Sequence, residues 1–150
     1  MTNHTELLLG IRRVLKFHAA LKKEVCQRHG LSPIELDILA FLHNNPGRDT
    51  ASDIVELRML PKGNVSQGVE SLIQKGLLTR QQDEKDHRRI HLALTSGADV
   101  IRPDLERMTR RFQQGLFAGF DPEEKKTYWE MNRRISQNAM EGMKQKWKDR

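Results

Sequence analysis

The 150-residue sequence contains a single cysteine, Cys26, so it cannot form an internal disulfide, and a reducing compartment suits it. It has no apolar run of about eighteen residues, the length that a membrane-spanning helix needs. Its first residues lack the apolar segment of a signal peptide. We therefore expect a soluble, cytoplasmic, single-domain protein that makes no contact with a membrane.

Catalytic and cofactor-binding motifs are also missing. The sequence has no Gly-x-Ser-x-Gly element, phosphate-binding loop or dinucleotide fingerprint, and its carboxylates and histidines form no recognisable catalytic pattern. Cys26 and His29 lie three residues apart, but two ligands do not make a metal site. We therefore expect no enzymatic activity, no cofactor and no bound metal.

Positive charge is in excess, with 26 Lys and Arg against 20 Asp and Glu and a net charge of +6. Residues 1–30 carry six basic and two acidic residues, residues 31–57 one and five, and residues 58–91 seven and four. This balance favours a polyanionic partner, although the excess in residues 58–91 is modest.

Residues 60–76 predict a short helix with two unlike faces. Pro61 suits the first turn, and Gly76 suits the end. The apolar residues Val65, Val69, Leu72 and Ile73 recur at helical spacing. The opposite face carries short or amide side chains and one leading positive charge: Lys62, Gly63, Asn64, Ser66, Gln67 and Glu70. Amides can bind adenine edges and Lys can reach guanine or phosphate. By itself, this face fits a DNA-contacting helix and an ordinary solvent-exposed helix about equally well.

The following residues predict a hairpin with a basic tip. Residues 77–80 and 90–94 have strand character, and Ile90, Leu92 and Leu94 alternate onto one face. The polar segment 81–89 between them ends in a charged group of five residues: Lys85, Asp86, His87, Arg88 and Arg89. A helix followed by such a hairpin is the plan of a winged helix, whose helix enters the major groove while the wing tip reaches the backbone or minor groove.

Four segments together resemble the multiple-antibiotic-resistance regulator (MarR) family: residues 60–66, 72–78, 86–88 and 92–95. They are similar to the family's Leu-x-x-x-Gly-Leu, Asp-x-Arg and Leu-x-Leu-Thr-x-x-Gly motifs. The resemblance implies a winged-helix homodimer that binds a pseudo-palindromic double-stranded DNA operator and usually represses. It places Asp86 and Arg88 at the wing pair and assigns four residues to recognition-helix positions: Lys62, Asn64, Ser66 and Gln67.

Two glycines depart from the family pattern. Gly97 stands one residue before the family's glycine position, which Ala98 occupies. Gly68 lies mid-helix, where a larger residue is common, and should cost about 1 kcal/mol of helix propensity relative to Ala. Gly68 therefore predicts a recognition helix that is less rigid than usual.

The rest of the sequence predicts five further helices. They cover residues 5–29, about 33–44, about 50–58, a segment after Thr95 in which Pro103 predicts a kink or a delayed start, and about 122–147. We expect a mainly α fold with a small β-hairpin wing. The winged helix-turn-helix DNA-binding lobe would cover about residues 32–97, and dimerisation helices about residues 5–30 and 98–148.

Apolar stripes on the terminal helices predict a second copy of the chain. A small winged-helix core has no place for both stripes, so a homodimer should cover them. The last helix offers five residues for burial: Trp129, Ile135, Ala139, Met140 and Met143. The resemblance also implies a small aromatic or anionic effector. The residues that could line its cavity, although each more often packs in a core, are Phe17, Phe41, Met108, Phe112, Phe117 and Trp129.

The leading hypothesis is a homodimeric transcriptional regulator, a repressor that an effector releases from its operator. One alternative is a winged-helix module that binds protein, which the modest charge allows. Another is a thiol switch at Cys26, although a partly buried, inert cysteine is more common. Three nearby cations could lower the pKa of Cys26: Lys22, Lys23 and Arg28. His87 and His91 flank the second strand, and we interpret both as phosphate-proximal or solvated.

Overall fold

The computed structural model describes residues 1–148, and the chain divides into two compact units at residues 112 and 113. The fold is mainly helical with one hairpin, so the predicted fold class is confirmed. The elements are α1 (Asn3–His29), α2 (Pro33–Asn44), α3 (Ala51–Arg58), α4 (Lys62–Gln74), β1 (Leu78–Gln82), β2 (Ile90–Leu94), a 3-10 turn (Ser96–Ala98), α5 (Arg102–Leu116) and α6 (Pro122–Lys148). None of the helices within residues 1–148 is long and apolar enough to cross a bilayer.

Local capping signals set most helix starts. At α2, the Ser32 hydroxyl accepts a hydrogen bond from the Glu35 amide, and the Glu35 carboxylate accepts one from the Ser32 amide. The same reciprocal pair forms at the starts of α3 and α6, in each case from the residue before the helix and the residue three positions later. The starts predicted from these residues are confirmed.

Proline and glycine set the other bounds. Pro103 lies in the first turn of α5, where its missing N–H costs little, so the delayed start is confirmed and no kink forms. Gly30 follows α1 with a φ of 64°, and Gly76 follows α4 with a φ of 76°, a region that favours glycine. Val100 lies in the turn before α5 and is exposed.

The core of the first unit is built around α2, which packs against α1, α4 and β2. This central position buries Ile38 and Phe41 as well as Leu36, Leu39 and Leu42, and the expectation that Phe41 packs in a core is confirmed. A helix that is covered on several sides is apolar around most of its circumference. By contrast, four apolar residues in the first half of α1 are exposed within the chain: Leu7, Leu8, Ile11 and Leu15.

Buried carboxylates join the helices of the first unit. Asp37 on α2 binds Lys22 of α1 at 2.6 Å and Arg58 of α3 at 3.1 Å. Asp104 of α5 likewise binds basic residues at the end of α1, with His29 at 2.7 Å. Because a buried charge is costly without partners, these ion pairs hold each helix in a defined position.

The second unit contains the last turn of α5 and the whole of α6. Phe117 is buried against Phe120, Tyr128 and Trp129, with ring centroids 5.2–5.6 Å from its own. The side chains of α6 are otherwise exposed from residue 122 to residue 145. The prediction that a second copy of the chain buries the apolar residues of this helix is not tested by the single chain, in which all five named residues are exposed. The exposed residues are Trp129, Ile135, Ala139, Met140 and Met143.

Candidate nucleic-acid interface

The two predicted faces of α4 are separated in the structure. Val65, Val69 and Leu72 are buried, because α4 packs against α2 and α3. The opposite face is exposed along its length and carries the polar set: Lys62, Gly63, Asn64, Ser66, Gln67 and Glu70. A helix held by one face presents the other to a partner, and the first residues of α4 lie at its free N-terminal end, the part that reaches base edges in helix-turn-helix proteins.

Gly68 is buried where α4 meets α2. A Cβ atom at this position would lie 2.6 Å from Cδ1 of Ile38, closer than real Cβ contacts. The glycine therefore allows α4 to pack closely on α2. From the sequence, Gly68 is expected only to cost helix propensity, whereas in the structure its lack of a side chain permits the close packing of α4 on α2.

A buried ion pair also fixes α4 on α2. The Glu35 carboxylate accepts hydrogen bonds from Lys75 Nζ at 2.8 Å and from the Ser71 hydroxyl at 2.9 Å, besides its capping bond with Ser32. Burial alone would raise the pKa of Glu35, but these hydrogen bonds outweigh it and lower the pKa to about 2. The carboxylate therefore stays ionised near neutral pH.

The hairpin pairs residues 78–82 with residues 90–94 in antiparallel register, and the wing tip is the loop between them. Asp83 organises this loop, because its Oδ2 atom accepts hydrogen bonds from the amides of Lys85 at 3.0 Å and Asp86 at 2.9 Å. The largest cause of its lowered pKa, about 2, is the hydrogen bond from His91, followed by these amides. Asp83 is not among the residues predicted from the sequence, although an aspartate that begins a turn is a recognisable signal.

The wing tip exposes its basic side chains. Asp86 Oδ1 accepts hydrogen bonds from Arg88 Nε at 3.3 Å and from the Arg88 amide at 3.1 Å, so the predicted wing pair is in contact. Arg88 is nevertheless 94% exposed. Lys85, His87 and Arg89 are exposed too, and the wing therefore offers an exposed cluster of basic side chains to a polyanion.

His91 has a different environment from the one we predicted. Its Nδ1 atom lies 2.7 Å from Asp49 Oδ1, and its Nε2 atom lies 2.7 Å from Asp83 Oδ1. The hydrogen bonds with Asp83 and Asp49 raise the pKa of the His91 imidazole. The interpretation of His91 as phosphate-proximal or solvated is therefore wrong, because this side chain bridges two aspartates below the wing.

Two more contacts tie the hairpin to α4. Arg80 of β1 forms an ion pair with Glu70, which occupies the exposed face of α4. The Thr95 hydroxyl donates a hydrogen bond to the Gly76 carbonyl, and a Cβ at Gly97 would lie 2.6 Å from that same oxygen. Glycine at position 97, one residue early by the family pattern, is thus required by the close approach of the backbone.

Cys26 does not have the environment of a reactive thiol. Desolvation by burial is the largest effect on it and raises its pKa, outweighing the opposite effect of Lys22. Lys22 and Arg28 are engaged by Asp37 and Asp104. The expectation of a lowered pKa for Cys26 is therefore wrong, because burial outweighs the effect of Lys22. Within the described part of the chain, no group of three or more His, Cys, Asp or Glu side chains could hold a metal ion.

Comparison with known proteins shows a family likeness in this part of the chain. A family model described as the MarR family matches residues 29–89, which contain α2, α3, α4, β1 and the wing. Over these residues the chain is similar to the MarR family. The HTH-type transcriptional regulator YkoM of Bacillus subtilis (strain 168) is 28% identical to it over 98 residues, which is 65% of this chain and 63% of that protein. The match thus covers less than two thirds of this relative's length.

Solved MarR-like structures share the fold over nearly the whole chain. The transcriptional regulator PA3341 superposes with a TM-score of 0.77 at 22% identity, over 92% of this chain and 98% of its own. BpsR of Bordetella bronchiseptica superposes with a TM-score of 0.65 at 21% identity, over 87% of this chain and 98% of its own. At such low identity these likenesses establish the winged-helix fold of the chain and nothing about its ligands.

Proposed function

We propose that a homodimer of this chain acts in the cytoplasm as a transcriptional regulator, binds a pseudo-palindromic double-stranded DNA operator and represses until a small effector releases it. The observation that carries the proposal is the pairing of an exposed polar helix face with an exposed basic wing. The faces are fixed by buried contacts, such as Glu35 with Lys75, that leave the polar surface free. No catalytic role enters the proposal.

The site residues have separate roles in this proposal. On α4, Asn64, Ser66 and Gln67 read base edges in the major groove, while Lys62 and the small Gly63 lie at the helix start near phosphate or guanine. On the wing, Asp86 orients Arg88 toward the backbone or the minor groove, and the flanking cations add attraction to phosphates. These flanking residues are Lys85, His87 and Arg89.

The homodimer is supported by apolar surface that the single chain leaves uncovered. Residues of α6 such as Trp129, Ile135 and Met143 are 39–59% exposed, and the first half of α1 exposes four apolar side chains. We propose that residues 5–30 and 98–148 form the interface and residues 32–97 the DNA-binding lobe. Two recognition helices held about 34–36 Å apart would match successive major grooves.

An effector is supported more indirectly. The BpsR structure concerns regulation of that protein's DNA binding by 6-hydroxynicotinic acid, a small aromatic anion. In this chain, Phe17, His18 and Phe112 form a half-buried aromatic cluster, with the ring of Phe112 centred 5.7 Å from Phe17 and 4.9 Å from His18. An effector that binds there would release DNA only if it favours an arrangement of the two lobes that cannot bind the operator.

The test is selection of bound sequences from a random double-stranded DNA pool, followed by mobility shifts at low salt. We expect enrichment of a two-fold symmetric site and binding that weakens steeply with salt. Failure to enrich any sequence, together with no shift of random DNA at low salt, would refute the proposal and leave the protein-binding alternative.

A further inference from the structure

The His91 side chain connects the wing to the helix-turn-helix through two carboxylates. Nδ1 faces Asp49, in the loop before α3, and Nε2 faces Asp83, at the end of β1, each at 2.7 Å. The Leu92 amide also donates to the Asp49 carbonyl at 2.7 Å, so the loop before α3 is tied to β2 by backbone as well. Asp83 in turn holds the wing amides of Lys85 and Asp86. One continuous set of contacts therefore runs from the helix-turn-helix to the wing tip.

This geometry requires a protonated ring. An ionised carboxylate only accepts hydrogen bonds, whereas a neutral imidazole carries a single N–H. Both ring nitrogens of His91 can therefore donate only when the ring is an imidazolium. Loss of the proton must break or reverse one of the two contacts, and it removes a positive charge that lies between two negative ones.

The other charged groups near His91 do not take its place between Asp49 and Asp83. Glu84 and Lys85, of opposite charge, line the same cleft beside the hairpin. On α3, the Asp53 carboxylate accepts the Thr50 amide at the helix start. On α2, which also packs against β2, Glu35 and Asp37 are engaged by Lys75 and Lys22. Asp49 and Asp83 are the carboxylates in direct contact with the ring.

We propose that His91 is a positioning residue for the wing, and that its protonation couples DNA affinity to pH by holding Asp49 and Asp83 together. The inference rests on the proposed function for its effect on DNA, but the bridge itself can be measured without DNA. The hydrogen bonds raise the pKa of His91 above its ordinary value of 6.5. The bridge from His91 to Asp49 and Asp83 is therefore complete below the ordinary histidine pKa and is lost as the pH rises through the raised pKa of His91.

The first measurement follows the His91 ring by NMR over a pH titration, with backbone relaxation of the wing. We expect His91 to titrate above 6.5 and the wing amides to become more mobile as it loses its proton. In His91→Gln the wing should be mobile at every pH, and in Asp49→Asn the pKa of His91 should fall. A His91 pKa at or below the ordinary value, or wing mobility that ignores pH, would overturn the proposal.

The second measurement is the pH profile of DNA affinity at constant ionic strength. Between about pH 6 and about pH 9, affinity should fall about fivefold or more, the low end of usual coupling between two sites. His91→Gln should abolish this dependence and bind as weakly as the unchanged protein does at high pH. His87 is a second imidazole, exposed at the wing tip, so His87→Gln is the matched comparison and should keep the dependence.

The outcomes separate the two proposals. If His87→Gln, and not His91→Gln, flattens the profile, the pH effect comes from a phosphate-proximal charge and the bridge has no role in affinity. If no DNA is bound at any pH while the wing stiffens with His91 protonation, the DNA-binding proposal fails and the bridge stands. His4→Gln, an exposed histidine at the start of α1, should change neither readout.

Discussion

Helices α4 and α6 have similar apolar periodicity in the sequence but opposite environments in the structure. On α4, Val65 and Leu72 are fully buried within the chain, and the polar face remains free. On α6, apolar residues such as Ile135 and Met143 are exposed. Amphipathic spacing therefore shows that a face needs cover, but it does not show whether the same chain supplies it.

The difference also separates two kinds of energetic contribution. Burial on α4 stabilises the folded chain at any protein concentration, and the apolar face of α6 stabilises it only when a partner binds, so that its effect depends on concentration. Mutations on the two helices should differ in that dependence as well as in size.

The largest effect should come from the buried face of α4. Leu72→Ala removes a fully buried side chain and should lower the free energy of unfolding by about 2–5 kcal/mol. Urea denaturation at two protein concentrations should give the same loss at both. Gln74→Ala, on the exposed part of the same helix, should change stability by no more than about 0.5 kcal/mol.

A charge on α6 should act on assembly instead. Ile135 is 59% exposed in the chain, and in Ile135→Asp each copy should lose about 1.5–3 kcal/mol of burial at the proposed interface. Sedimentation velocity over a range of concentrations should show a dimer for the unchanged protein and a monomer for the variant. Asn138→Asp adds the same charge at a polar position of α6 and is the control. Equal dimerisation of all three proteins would contradict the interface.

The exposed face of α4 can be tested against its buried face. Gln67→Ala should leave folding nearly unchanged and cost about 1–3 kcal/mol at one operator position, if the amide pairs with adenine there. The affinity of this variant for nonspecific DNA should be unchanged, because Gln67 carries no charge. Val69→Ala should do the reverse, lowering thermal stability without changing base preference. If Gln67→Ala has the same base preference as the unchanged protein at every operator position, Gln67 does not contact a base.

A smaller change is expected at the wing. Arg88→Ala should lower the slope of log affinity against log salt by about 0.9, because one phosphate contact is lost for every sequence. If Arg88 enters the minor groove, the loss should concentrate on sites with A·T-rich flanks. Titrations at several salt concentrations distinguish these results. Arg110→Ala, on α5 outside the proposed DNA surface, should leave the slope unchanged.

Sequence alone predicted the features that depend on neighbouring residues. Caps such as Ser32 with Glu35, and stops such as Gly76, act within a few positions, and the helix bounds follow from them. The contacts that it missed join residues far apart in the chain. Glu35 and Lys75 are 40 positions apart, and Asp49 and His91 are 42. Such pairs exist only after the helices have packed, so no local pattern records them.

Gly68 has a local effect, on helix propensity, and a long-range effect, through the packing of α4 on α2. A substitution at Gly68 therefore tests how closely α4 packs on α2. In isolation, Gly68→Ala should gain about 1 kcal/mol of helix propensity. In the structure the new Cβ would meet Cδ1 of the fully buried Ile38 at 2.6 Å, while the neighbouring Ile34 atoms lie at ordinary distances of 3.5 and 3.6 Å. We expect this clash to cancel the gain, so that stability changes by less than about 1 kcal/mol or falls.

Removing the clashing atom should restore the gain. Ile38→Val deletes Cδ1 and alone should cost about 0.5–1.5 kcal/mol. The double variant should be more stable than the sum of the two single changes predicts, because the alanine methyl then occupies the vacated space. Urea denaturation of the four proteins measures this coupling, and Gly63→Ala, where the new Cβ meets nothing within 4 Å, is the control for propensity. Strictly additive effects would mean that α4 moves away from α2 without cost, and that the close packing at Gly68 does not fix the position of the recognition helix.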